Sequence, residues 1–107
     1  MPYITRDRRG QPPEDAGELN YALCKICLAG DDTPRILWIL VLDYLVRRGF
    51  SYQRMNDVIG ALDGAYEELL RRTDTKYPEL LHTKYQFREQ IINPYEDTKI
   101  TENGDIL

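Results

Sequence analysis

Residues 33–48 read Thr33-Pro34-Arg35-Ile36-Leu37-Trp38-Ile39-Leu40-Val41-Leu42-Asp43-Tyr44-Leu45-Val46-Arg47-Arg48, and this stretch decides the fold. Ten of the eleven residues from Ile36 to Val46 are apolar or aromatic. Thr33 as a cap and Pro34 at the first helical position specify a helix start. Arg47 and Arg48 suit the negative end of the helix dipole, and Gly49 suits the left-handed cap that follows. At 100° per residue, Arg35, Asp43 and Arg47 share one narrow arc while apolar residues fill almost all the rest. Such a helix must be covered on several sides. Fully burying one large aliphatic side chain contributes about 1.5–3 kcal/mol, so this helix alone supplies much of a small domain's stability. The expected fold is therefore all-α, a small three- to four-helix bundle with helix 34–48 as its buried centre.

The 107 residues are enough for a single helical domain and one core. A net charge of −4, from 14 basic and 18 acidic residues, makes nucleic acid an unlikely partner, because unspecific binding there needs Lys and Arg to neutralise phosphates. No apolar run reaches the length of about 18 residues that a membrane span requires. The first ten residues lack the apolar centre of a secretory signal, and two cysteines suit a reducing compartment. A soluble, cytoplasmic protein is the expectation.

Outward from the central helix, residues 1–14 hold three prolines, three arginines and a glycine and read as an irregular arm, anchored near Tyr3 and Ile4. A first helix follows from about Asp15, its cap, to Leu28, with Leu19, Ala22, Leu23, Ile26 and Cys27 on one face. Ser51 caps a third helix from Tyr52 to about Arg72. Its apolar residues Tyr52, Met55, Val58, Ile59, Leu62, Tyr66, Leu69 and Leu70 fall within about 120°. A fourth helix begins at Pro78 and runs to about Ile92. There Lys84 and Arg88 point into the apolar face, so either their stems snorkel or the helix bends. Asn93-Pro94 breaks it and opens a polar C-terminal tail, 93–107. Pro2–Ile4 and this tail are expected as short extended termini that pair as a minimal β-ribbon.

Few residue groups carry chemistry. Cys24-Lys25-Ile26-Cys27 has the spacing of a zinc or redox motif, yet Cys24 lies inside a helix and the chain supplies no second ligand pair beyond His82. Two structural thiols are expected, with no metal and no cofactor. Arg47-Arg48 and Arg71-Arg72 both fall in last helical turns and read as dipole caps; Arg8-Arg9 lies in the arm. Gly60 and Gly64 are the anomaly, since each costs about 1 kcal/mol relative to alanine inside a helix. With Asn56, Asp63 and Glu67 they form a strip having a glycine floor and a polar wall. It suits close approach of another helix or a partner. Alternatively, Asp63 and Glu67, at i and i+4, act as metal ligands or an acid and base pair, joined by Asn20, Glu18, Glu96 or Asp97. Tyr95, Glu96 and Asp97 begin a tail that is either solvated, or docks back on the helices or engages a partner.

Met1-Pro2-Tyr3-Ile4, Gly17-Glu18-Leu19-Asn20-Tyr21, Ser51-Tyr52 with Asn56, Val58-Ile59-Gly60, Leu70-Arg71-Arg72, Pro94-Tyr95-Glu96-Asp97, Lys99-Ile100 and Glu102-Asn103-Gly104-Asp105 form a set. With these the chain resembles a family of small bacterial and phage proteins with no assigned activity. It departs from that pattern in lacking a helix ahead of Gly17 and in carrying about twenty extra residues at 73–93. The resemblance implies an intracellular origin, in bacteria or their phages, and little more; it does not make Asn56 or Tyr95 catalytic. The reading that follows is a non-enzymatic interaction module that forms a homo-oligomer or engages another protein. Ile39 and Val46, apolar residues on the charged arc of the central helix, are its self-association candidates. The alternative is a small metal-dependent enzyme or a binder of a phosphorylated small molecule, working through Asp63 and Glu67. A third reading, an acidic mimic of nucleic acid, rests on net charge alone.

Overall fold

The computed structural model describes residues 11–30 and 32–97. Of the expected β-ribbon, Pro2–Ile4 and the tail beyond 97 lie outside the described residues, while 93–97, the expected start of that tail, is helical rather than extended. Among the described residues there are helices and no strand. The order is α1 (Ala16–Ala29), α2 (Thr33–Arg48), α3 (Tyr52–Thr73) and α4 (Pro78–Phe87), the last continuing through a π-helical turn, Arg88–Ile92, into helical residues 93–97.

Local chemistry sets the boundaries. Asp15 caps α1 by accepting a hydrogen bond from the Glu18 backbone N–H at 2.8 Å, and Gly30 closes it in the left-handed region at φ 84°. Ser51 caps α3 in the same way, accepting from the Arg54 N–H at 3.2 Å. The start of α2 differs from expectation. Thr33 lies within the first turn, almost buried, and Asp32 precedes the helix at φ 46° with no capping bond from its side chain. That carboxylate pairs with Arg35 at 3.5 Å instead. Gly49 has the expected positive φ, 96°, but its ψ of 140° turns the chain outward into Phe50 rather than into a left-handed cap.

The expected anchor of the arm at Tyr3 and Ile4 lies outside the described residues; within them the arm is held at Pro13, which is buried and whose carbonyl accepts from the Arg47 guanidinium at 2.9 Å.

One hydrophobic cluster joins the four helices, with Leu19 and Leu23 from α1, Leu37, Val41, Tyr44 and Leu45 from α2, Met55, Val58, Leu62 and Leu69 from α3, and Leu80 and Phe87 from α4. The hub is α3, which packs on all three other helices and most extensively on α1. Its buried arc is rotated from the expected one toward Ala61, Ala65 and Glu68, leaving Tyr52 54% exposed. Small alanines and a glycine at 64 admit α1 closely on that flank. Meanwhile α2 turns Leu37, Val41, Tyr44 and Leu45 inward, and the covering stops there: Ile36, Ile39 and Val46 on the other side are exposed.

Pro94 explains the π turn. It has no N–H to give the Gln90 carbonyl, and its ring would strike that carbonyl at α pitch. The helix widens instead, with the Asn93 N–H donating to the Arg88 carbonyl five residues back. The expected break is thus absorbed without ending the helix. The extra residue also shifts the phase, so Ile92 is buried where a regular helix would have placed Ile91.

Candidate functional site

The glycine strip lies on the side of α3 away from the core, and its two glycines have different surroundings. A Cβ at Gly64 would stand 2.6 Å from the Asn20 amide nitrogen, so Gly64 exists to seat the Asn20 side chain from α1. Asn20 in turn accepts from the Cys24 thiol at 3.5 Å. A Cβ at Gly60 would meet nothing within 4 Å. Asp63 reaches across to α4, where the Lys84 ammonium pairs with it at 3.0 Å. This settles how the cation within the apolar face of α4 is accommodated: its stem is covered and its head meets a carboxylate. Asn56, Gly60 and Glu67 are exposed. Tyr95 and Glu96 are half-buried and Asp97 exposed; the Tyr95 ring packs on Phe50, just past α2, with centroids 5.4 Å apart. Among the described residues no three of His, Cys, Asp and Glu are grouped to hold a metal ion.

Cys24 and Cys27 are free and buried. Burial, reinforced by the Glu68 carboxylate, pushes the Cys24 thiol up to about 11. Burial, with Glu79 nearby, pushes the Cys27 thiol up to about 12. Near neutral pH both stay protonated and are poor nucleophiles and poor metal ligands. His82 is exposed and, with Tyr85, Arg88, Glu89 and Asn93, lines a shallow groove along its own helix.

Two polar clusters lie within the packing. The fully buried Tyr44 donates its hydroxyl to Asp57 at 3.2 Å, and Asp57 also accepts from Arg54 at 3.2 Å and Gln53 at 3.0 Å. Burial raises the Tyr44 phenol above its ordinary range. On α3, Glu68 is 7% exposed and accepts from both Arg71 and Arg72, so those arginines do more than cap the helix. No buried side-chain polar atom among the described residues is left without a partner. These clusters are complete, which suits pinning helices together rather than receiving a ligand.

What remains open is apolar. Along α2, Ile36, Ile39 and Val46 are 39%, 52% and 82% exposed, with Leu42 half-buried between them. Ion pairs flank them, Arg35 with Asp32 and Arg47 with Asp43 at 2.7 Å. No helix among the described residues is long and apolar enough to cross a membrane.

Fold and surface together define a small all-α bundle whose polar interior is internally satisfied and whose outer α2 face is apolar. The chain belongs to the family described as Domain of unknown function (DUF6899), whose model matches residues 1–106. No curated protein and no solved structure matches it.

Proposed function

We propose that this domain is a non-enzymatic interaction module that associates with itself through the outward face of α2. In keeping with the sequence resemblance, we place it in the bacterial cytoplasm, in a host or phage context. One observation carries the reading: Ile36, Ile39 and Val46 stand uncovered on one side of a helix whose opposite face is packed into the core. Isolated exposed aliphatics are ordinary, but a group on one helix side with charged flanks is the anatomy of an interface core and its rim. Light scattering on the full chain tests it. The expected mass is a multiple of the protomer, and Ile39→Lys with Val46→Lys returns it to one protomer while the helical circular dichroism is unchanged. A single-protomer mass at millimolar concentration overturns the proposal.

The alternative of a metal-dependent site at Asp63 and Glu67 has less support. Asp63 is engaged by Lys84, and Glu67 faces solvent with no third ligand grouped beside it among the described residues.

A further inference from the structure

The geometry points to a specific occupant for that face: we infer that α2 packs against α2 of a second copy in antiparallel orientation, about a two-fold axis passing between Ile39 and Leu42. The inference rests on the self-association reading and adds the orientation to it. Arg35, Ile39, Leu42 and Val46 are spaced four, three and four residues apart. At 100° per residue they fall within about 60° of one another, which is the seam of a paired helix. Ile36 and Asp43 form one shoulder of the seam, and the half-buried Trp38 the other.

Charge chooses the direction. A parallel pairing in register would set Arg35 against the partner's Arg35 on the seam, two like charges side by side. An antiparallel pairing sets Ile39 against the partner's Leu42 on both sides of the axis. It also brings Arg35 beside the partner's Val46, one turn from the partner's Asp43. Arg35 is available for that contact. Its pair with Asp32 is long, at 3.5 Å, and the two side chains are 76% and 60% exposed, so little holds it in place. The Asp43 side chain is 50% exposed and so open to a second cation. The seam is therefore complementary to itself only when reversed, and a two-fold pairing uses one patch on both copies.

Disulfide trapping tests the orientation. The native thiols do not interfere, being 2% and 4% exposed. Eleven residues of helix separate positions 35 and 46, so in the antiparallel pair the two copies of position 46 stand on the order of 16 Å apart, beyond disulfide reach. Val46→Cys alone, under oxidised glutathione, is expected to give no cross-linked dimer; mixed with Arg35→Cys it is expected to give one. Self-linking of Val46→Cys shows a parallel pair and overturns the inference. Absence of any cross-link from a chain that light scattering shows to be dimeric overturns it too, by placing the interface elsewhere. A protomer-mass result removes the self-association reading itself.

Discussion

Helices α2 and α3 reverse the roles that their compositions suggest. The more apolar helix, α2, touches all three other helices yet leaves one face open, whereas α3, carrying Asn56, Asp63 and Glu67 on its outside, packs on the others more extensively. An amphipathic helix presents one apolar arc and leaves no apolar remainder, so it can sit at the centre of a small bundle and still meet water on its far side. A helix apolar all round needs neighbours on every side, and three others do not suffice. The surplus of α2 is what this domain shows to its surroundings.

The difference is measurable. The largest effect is expected from Leu62→Ala in the hub, which removes a fully packed side chain and lowers stability by about 2–5 kcal/mol in urea unfolding. Val46→Ala on the outer face should stay within about 0.5 kcal/mol for the isolated protomer. Equal losses at both sites would show that the outer face is covered within one chain. Thiol chemistry draws the same line. With thiols at about 11 and 12 rather than 9.0, Cys24 and Cys27 hold roughly a hundredfold and a thousandfold less thiolate at pH 8 than an ordinary cysteine. They should label at least that much more slowly with a maleimide than Val46→Cys, and speed up as pH rises toward 11. The last comparison separates the two glycines. Gly60→Ala should stabilise by about 1 kcal/mol, because the added methyl meets open space. Gly64→Ala should gain less or lose, because it displaces Asn20, and the gain should return in Gly64→Ala with Asn20→Ala. A melting series on the four chains decides it.

Sequence carried the helices themselves. Asp15, Ser51 and Pro78 mark ends by chemistry confined to one turn, which is why their placements agree with the structure. Thr33 misled because a threonine ahead of a proline suits a cap, while here the chain turns one residue earlier, at Asp32. Which arc of a helix is covered is a property of its neighbours. The apolar periodicity of α3 pointed toward Tyr52 and Leu70, and small Ala61 and Ala65, which add little to such a pattern, drew the buried face toward α1. Tyr44 with Asp57 was invisible for a similar reason, since 13 residues and a turn between helices separate them. Glu68 with Arg71 and Arg72 had a readable i, i+3 and i+4 spacing, but two arginines at a helix end are equally explained by its dipole. The candidate strip was legible as an anomaly of composition. Its division into a glycine that seats Asn20 and a glycine that touches nothing required the path of α1.

The widened turn at Arg88–Ile92 makes the direction of residues 93–97 depend on Pro94. Pro94→Ala would permit ordinary pitch with the same number of residues and swing the following residues through about 100° about the helix axis. Tyr95 would then leave Phe50, with no side chain of the contact itself having been altered.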